Sequence, residues 1–180
     1  VSLTNLGNCV FTGIESLELV SGNSLTSIPD DSFKDCIALT DVSFCSVETI
    51  GANAFLNTKL ATAIFNNAIS IGENAFGGCS ELTEISFNSL SSVNFSMFFE
   101  SPEIKNMSFE KVTRITFDNE TEFCGLNNYF PLLESFSMPL LQVVPENMFK
   151  DSNKLTELIF TDLREIGKYA FYNCNAASFD

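Results

Sequence analysis

The sequence of 180 residues predicts a right-handed solenoid of short parallel β-strands, and three observations support this fold class. A phenylalanine returns every 21 or 22 residues over most of the chain, and a period in this range is typical of solenoids. Apolar residues precede each phenylalanine at nearly constant offsets, and a segment of the form I-G-x-x-A-F ends several units. The phenylalanines of this series are Phe11, Phe33, Phe55, Phe76, Phe98, Phe123, Phe149 and Phe171.

One strand per unit is predicted from the segment L-x-x-I-x-F. It reads LTDVSF at 39–44, LTEISF at 82–87 and LTELIF at 155–160. Apolar and polar residues alternate at its end, and β-branched and aromatic side chains fill it, which favours a short strand. Because each unit has an apolar face that it cannot bury alone, we expect successive units to stack and their strands to form a parallel sheet.

A turn is predicted on the opposite side of each unit. The segments IGANAF, IGENAF and IGKYAF place Gly51, Gly72 and Gly167 at equivalent positions, where glycine marks a turn. An alanine precedes the phenylalanine in these segments, which favours a single helical or 3₁₀ turn. We expect the phenylalanines themselves to stack in one buried column.

Residues 71–87, IGENAFGGCSELTEISF, resemble the BspA-like, or Treponema-type, leucine-rich repeat. The resemblance covers nearly the whole chain. It implies a leucine-rich repeat solenoid, a β-rich member of the α/β horseshoe class, with one short strand in each repeat of about 22 residues. The proline of the family pattern stands only at Pro139, and its cysteine only at Cys36, Cys79 and Cys174. The family resembles surface adhesins and interaction domains of microbes, which implies an extracellular or cell-surface location.

The repeat register predicts a single leucine-rich repeat domain over 1–180, with about eight units of which the first and last are partial. One unit is longer than the others. Phe123 comes three residues late, and the next anchor, Leu133, follows it by ten residues instead of five or six. Residues 116–132 therefore contain an insertion of about seven residues, and insertions in repeats map to loops, often on a binding face.

Composition argues against several classes of partner. Acidic residues outnumber Lys and Arg by 23 to 9, so the net charge is −14. Such a charge repels phosphate backbones and anionic lipids, and we expect neither nucleic acid nor a membrane surface to bind. No apolar run approaches the ~20 residues that span a bilayer, so we expect no membrane insertion.

No catalytic or metal-binding constellation is predicted. The chain has no His and no C-x-x-C motif, so the usual triads and zinc sites are excluded, and we expect no enzyme, cofactor or metal. Cys36, Cys79 and Cys174 share one repeat position in units that are not neighbours, and we expect them to be reduced and buried. Sequons occur at Asn94, Asn106 and Asn119, and the sequence leaves their use open.

The outward face of the predicted sheet is the first candidate for a binding surface. Its outward positions contain no Lys, Arg or aromatic residue, and its central column is Ser in five of seven units. Two interpretations stay open. Small polar residues suit a crowded surface facing water, or Asp41, Glu84 and Glu110 form an acidic strip for a basic or glycan ligand. Tight interfaces usually contain Tyr, Trp or Arg, and this face offers none.

The insertion is the second candidate, because Phe117, Leu126, Tyr129 and Phe130 fall outside the repeat register. Either they seal the core where the period breaks, or they contact a partner, and their burial distinguishes the two. We expect the chain to be a non-catalytic, adhesin-like binding module for a protein or glycan of host matrix or cell surface. The alternative is a passive spacer or stalk of a larger surface protein. The oligomeric state is left open.

Overall fold

In the computed structural model the chain is a parallel β-solenoid with almost no helix. The structure describes residues 4–117, 125–176 and 178–179, the last two by their backbone alone. Each complete turn contributes two short strands, whereas the sequence predicts one. The second strand lies where the I-G segment begins, and at two or three residues it is too short to show the alternation that identifies a strand.

The strands of the described residues have the following bounds. In chain order they are β1 (Leu19–Ser21), β2 (Ser27–Ile28), β3 (Asp41–Ser43), β4 (Thr49–Ile50), β5 (Thr62–Ile64), β6 (Ser70–Ile71), β7 (Glu84–Ser86), β8 (Ser92–Asn94), β9 (Asn106–Ser108), β10 (Arg114–Thr116), β11 (Ser135–Ser137), β12 (Val143–Val144), β13 (Glu157–Ile159), β14 (Glu165–Ile166) and β15 (Ser178–Phe179). We call the odd-numbered strands the first sheet and the even-numbered strands the second sheet.

All strand pairs within the described residues are parallel and join equivalent positions of neighbouring units. In the first sheet β1 pairs with β3, and β5 to β15 form a separate ladder of six strands. In the second sheet the ladders are β2-β4-β6, β8-β10 and β12-β14. The break between β10 and β12 falls at the insertion, and the break between β3 and β5 falls within regular repeats.

The predicted phenylalanine column is confirmed over the residues that the structure describes. The rings of Phe33 and Phe55 stack 5.3 Å apart at 6°, and those of Phe55 and Phe76 stack 5.3 Å apart at 14°. The column continues to Phe98, whose ring lies 5.9 Å from that of Phe76. Strand-end phenylalanines stack beside it, with 6.2 Å between Phe65 and Phe87. Aromatic rings thus fill the interior of the solenoid.

The turn around each phenylalanine is in most units not the predicted 3₁₀ turn. Among the described residues 3₁₀ geometry occurs at Phe95–Phe98 and Leu126–Asn128. Elsewhere the residues two before and two after the phenylalanine have left-handed backbone, as at Asn53 (φ 53°) and Asn57 (φ 61°). Asn and Asp tolerate this conformation better than other non-glycine residues. They also join units, because the Asn57 amide donates to the Asp35 carboxylate at 2.8 Å.

Gly72 is required by packing between units. A Cβ at Gly72 would lie 2.4 Å from the backbone nitrogen of Ala52, one unit earlier, and the same close approach occurs at Gly51 and Gly167. The glycines of the I-G segment therefore let consecutive turns approach one another.

We expect Gly72→Ala to lower the free energy of unfolding by about 1–3 kcal/mol, because the new methyl group forces two backbone segments apart. Denaturant unfolding measures the change. Gly7→Ala is the matched control, since a Cβ there would lie 3.6 Å from the Val10 side chain, an ordinary contact. An equal loss in both variants would show that close approach is not the reason for glycine at 72.

The insertion shifts the phenylalanine column by three residues. The sequence places Phe123 in the column, but Leu126 occupies that position, and Phe123 lies outside the described residues. The backbone N–H of Leu126 donates to the Met148 carbonyl at 2.8 Å, as the N–H of Phe149 donates to the Ala170 carbonyl at 2.7 Å. Most of the added length therefore precedes Leu126. The expected division of 1–180 into about eight units of one domain stays a prediction.

Candidate partner-binding surfaces

The outward face of the first sheet has the side-chain arrangement that the sequence predicts. Asp41 and Glu84 begin β3 and β7, and both are exposed, as is Glu110 just after β9. The carboxylates of Asp41 and Glu84 make no ion pair with any part of the chain that the structure describes, although the backbone of both residues pairs within the sheet. Their negative charge therefore stays uncompensated on this face. The partner-binding role assigned to these three carboxylates stays a prediction.

Two strongly exposed apolar side chains interrupt this polar face in the part of the chain that the structure describes. Leu19 on β1 is 61% exposed and Ile64 on β5 is 48% exposed. Ile64 lies on the face between the strands that carry Asp41 and Glu84. Single exposed apolar residues are ordinary on protein surfaces, but here one stands among carboxylates on an open sheet. The arrangement suits a ligand that combines basic and apolar groups.

The ion pairs of the described residues do little to offset the acidic charge. Lys34 pairs with Asp31, Lys59 with Glu81 and Arg164 with Asp162, at 3.3 to 3.6 Å. All three lie at the surface, where an ion pair contributes about 0–1 kcal/mol to the free energy of unfolding. None of them involves the carboxylates of the first-sheet face.

The structure separates the four apolar residues of the insertion. Leu126 and Phe130 are buried in the core, and Phe117 is half-buried against it. The Phe130 ring meets Phe95 at 6.1 Å and Phe98 at 6.4 Å, edge to face in both cases. Leu126 and Phe130 therefore seal the core where the period breaks. A partner can reach them only if the chain unfolds locally.

Of these four residues, Tyr129 is the one that faces solvent, with 43% of its surface exposed. It occupies the position three residues after the column residue, where Cys36, Cys79 and Ser101 are buried in other units. Phe130 takes the interior place instead, so Tyr129 is turned outward. The partner-binding role predicted for the insertion thus narrows to this side chain, and it stays a prediction.

A second exposed aromatic group, which the repeat pattern does not predict, lies near the last described turn. Tyr169 and Tyr172 are 52% and 58% exposed, and their rings lie 5.8 Å apart, edge to face. The ammonium of Lys168 lies 4.7 Å from the centre of the Tyr169 ring. A signal was present: the chain has three Tyr and nineteen Phe. Because phenylalanine fills the apolar positions, the rare tyrosines mark the surface.

The three cysteines of the common repeat position are unpaired, as predicted, but only two are buried. Cys36 and Cys79 are fully buried, and Cys174 is half-buried, because little of the described chain stacks on its turn. The Cys79 thiol donates to the Phe55 carbonyl at 3.3 Å. In another unit Ser101 donates to the Phe76 carbonyl at 2.8 Å. Cys36 makes the equivalent bond to the Phe11 carbonyl at 3.0 Å, whereas the hydroxyl of Ser152, at the same position of a later unit, is buried without a hydrogen-bond partner.

Burial raises the pKa of the Cys79 thiol from 9.0 to about 11. The folded chain therefore keeps a proton that the unfolded chain loses above pH 9. The stability that this provides is fully present below pH 9 and is lost as the pH rises towards 11.

We expect the free energy of unfolding to fall by about 1.4 kcal/mol more per pH unit in the wild type than in Cys79→Ser between pH 9 and 11. Serine suits the variant because it occupies the same position at Ser101. Urea unfolding at each pH gives both curves. Parallel curves would show that the Cys79 thiol does not stay protonated in the folded chain.

No three Asp, Glu or Cys side chains come together as a possible metal site in the ranges that the structure covers. No helix among the described residues is long and apolar enough to cross a membrane.

Two of the three sequons lie in described residues. Asn106 is exposed on β9. Asn94 caps the 3₁₀ helix, because its side-chain oxygen accepts a hydrogen bond from the Ser96 N–H at 3.0 Å.

Short parallel strands in a regular stack, with one apolar column per turn, define a repeat protein of the leucine-rich class. The sequence model of the BspA type leucine rich repeat region matches residues 4–129 and 127–180, in six copies. The chain belongs to this family, as the resemblance of residues 71–87 implies. No curated protein matches it.

Solved bacterial structures are similar to the chain over most of its length. A leucine rich cell surface protein from Faecalibacterium prausnitzii is 19% identical (TM-score 0.47), with 96% of this chain and 62% of that one covered. A leucine-rich repeat protein from Bacteroides ovatus is 16% identical (TM-score 0.43; 94% and 67%). The pneumococcal vaccine antigen PcpA is 15% identical (TM-score 0.46; 91% and 50%). The chain thus spans about half to two thirds of these proteins.

Proposed function

We propose that the chain is a non-catalytic protein-binding module of an extracellular or cell-surface protein, with an adhesin-like role. The chain belongs to a leucine-rich repeat family, and repeat proteins of this kind present extended surfaces that generally bind other proteins. The sequence has no His to act as a general base, and burial raises the pKa of the Cys36, Cys79 and Cys174 thiols, which makes them poor nucleophiles. Binding is therefore the function that the fold supports best.

The observation that carries this proposal is the position of the tyrosines. Tyr129, Tyr169 and Tyr172 are all exposed, while the core is built almost entirely without tyrosine. Tyrosine gives a large contact area with few rotatable bonds to fix, and it is enriched among the residues that dominate binding energy. A passive spacer gains nothing from exposed aromatic rings. Tyr129 is the side chain that we assign to the partner, together with the acidic face at Asp41, Glu84 and Glu110.

The chemistry of the partner follows from the charge of the chain. With a net charge of −14, the module favours basic protein surfaces and disfavours nucleic acid and anionic lipid. A glycan is the runner-up ligand, because tyrosine rings and carboxylates also suit a sugar.

We expect Tyr129→Ala to weaken binding to a captured protein ligand by about tenfold or more and to leave the unfolding midpoint nearly unchanged. The measurement is surface plasmon resonance of the chain against immobilised matrix proteins and glycan arrays, with circular dichroism for stability.

Tyr172→Ala is the matched control, because it removes a tyrosine of similar exposure from another turn. If Tyr172→Ala loses binding and Tyr129→Ala keeps it, the site lies on the last turn. If both variants bind like the wild type, neither Tyr129 nor Tyr172 contacts the ligand, and the proposal fails at these two residues.

A further inference from the structure

A surface depression lies where the chain passes from the first sheet to the second. It has a volume of about 470 Å³ and is lined by Thr26, Ser46, Glu48, Asn67 and Ile69. We call it the corner pocket. Its residues come from three consecutive turns and stand directly before β2, β4 and β6 or shortly after β3 and β5. The pocket is therefore formed by the stacking of turns and not by any single repeat.

Backbone hydrogen bonds between turns hold the residues of the corner pocket in place. The N–H of Glu48 donates to the Thr26 carbonyl, and the N–H of Ile69 donates to the Glu48 carbonyl, both at 2.8 Å. A ligand would therefore meet side chains whose backbone is already fixed, which lowers the entropic cost of binding.

Glu48 and Ile69 differ from the residues that other turns place at the equivalent position. Strand register in the second sheet aligns positions 26, 48 and 69, which stand one residue before their strands. Ile69 is 58% exposed, and Glu48 is exposed beside it in the same pocket. The other described turns have uncharged polar or basic residues at this position, namely Thr26, Ser91, Thr113, Gln142 and Arg164.

The polar groups of the corner pocket offer mainly hydrogen-bond acceptors. The Ser46 hydroxyl and the Asn67 amide each donate to a backbone carbonyl of the preceding turn, at 2.8 and 2.7 Å. Their oxygen atoms remain available as acceptors. The Glu48 carboxylate makes no ion pair with any part of the chain that the structure describes. A ligand that suits these groups carries N–H donors and a positive charge.

Arginine is the side chain that matches both the polar and the apolar groups of the corner pocket. Its guanidinium has several N–H donors, no acceptor and a permanent charge, and its methylene stem packs on apolar surface such as that of Ile69. The net charge of −14 attracts basic surfaces to the chain. Arginine is also enriched among the residues that dominate protein binding.

We propose that the corner pocket binds an arginine side chain of the partner protein, with the guanidinium on the Glu48 carboxylate and the methylene stem on Ile69. This inference rests on the proposed function, since it names the side chain by which the partner is held. Asp41 and Ile64 lie on the same turns as the pocket. A partner anchored there would therefore also cover part of the acidic face.

The test uses the whole chain and the probe N-acetyl-arginine-N-methylamide. The methyl groups of Ile69 and Ile37 are followed by NMR during the titration, because Ile37 is also exposed, at 48%, but lies outside the pocket. We expect a saturable shift at Ile69 and none at Ile37. Equal shifts at both residues would overturn the proposal, because they would show general attraction of a cation to an acidic chain.

The citrulline form of the same probe and two variants isolate the charge pair. Citrulline has nearly the shape of arginine without its charge, and it should bind about fivefold more weakly or worse. Glu48→Gln should weaken the arginine probe by a similar factor. Glu103→Gln, which removes another exposed carboxylate, should change its affinity by about twofold at most. Equal binding of citrulline, or of the arginine probe to Glu48→Gln, would overturn the proposal.

Binding of matrix proteins separates this inference from the proposed function. Glu48→Gln should weaken the protein ligand of the chain by about fivefold or more, and unchanged protein binding would overturn the role of the pocket. If the arginine probe fails while protein binding still depends on Tyr129, the pocket is wrong and the proposed function stands. If the probe binds at Glu48 but no protein binds, the arginine site stands and the proposed function fails by itself.

Discussion

Replacing Phe76 by alanine is expected to lower the free energy of unfolding by about 3–5 kcal/mol. Its ring is fully buried and lies 5.3 Å from Phe55 and 5.9 Å from Phe98 in the column, with Phe65 and Phe87 at 5.7 Å on the other side. Removing it takes away the transfer free energy of the ring and leaves a cavity. The neighbours cannot collapse into this cavity without breaking the stack.

Denaturant unfolding of Phe76→Ala measures this cost, and Phe99→Ala is the matched control. Phe99 follows the column residue Phe98 directly but is 49% exposed, so its loss should change the stability by about 0.5 kcal/mol or less. A loss below about 1 kcal/mol for Phe76→Ala would mean that the column does not hold the solenoid together.

Replacing Phe130 by alanine is expected to cost a similar amount, about 3–5 kcal/mol. The ring closes the core between the column residue Phe98 and the unit that follows the insertion. It is the residue that compensates for the leucine at 126, since leucine is smaller than the phenylalanine found at this position in other units. The variant should therefore unfold at a lower denaturant concentration than the wild type.

Tyr129→Ala is the control for Phe130→Ala, because the two residues are neighbours and only one is buried. We expect the tyrosine variant to keep its unfolding midpoint. Equal stability of Phe130→Ala and the wild type would place Phe130 on the surface and return it to the candidate binding residues. Because of this burial, a double variant at 129 and 130 cannot separate binding from stability.

Most of the fold could be predicted from the sequence, because apolar residues recur at the same positions in each repeat. The register of Val20, Val42, Ile85 and Met107 along the first sheet follows directly from their spacing. A two-residue strand such as β4 has no such periodic signal, so the sequence does not predict the second sheet.

The backbone around the phenylalanines could have been predicted, because its signal is present in the residue types. Asp or Asn stands two residues before and after the phenylalanine at Asp31, Asp35, Asn53 and Asn57. These are the residues that adopt left-handed backbone most readily. The alanine before the phenylalanine favours a helical turn instead, and such a turn forms in few of the described units.

The insertion shows the limit of counting residues of one type. The spacing of phenylalanines places Phe123 in the column, but the hydrogen bond from Leu126 to Met148 fixes the column position by backbone register. Whether an off-register aromatic residue seals the core or faces solvent depends on the space left by its neighbours. The sequence does not show how much space the neighbours leave, so it could not predict that Phe130 is buried and Tyr129 exposed.

Saturable binding of the chain to a protein ligand is the measurement that tests its function most directly. The chain is passed over immobilised matrix proteins beside two variants, Tyr129→Ala and the triple variant Asp41→Asn, Glu84→Gln, Glu110→Gln. We expect the wild type to bind at least one protein saturably, and both variants to bind that protein about tenfold more weakly while remaining folded. No saturable binding by the folded wild type, as for a passive spacer, would contradict the proposed function.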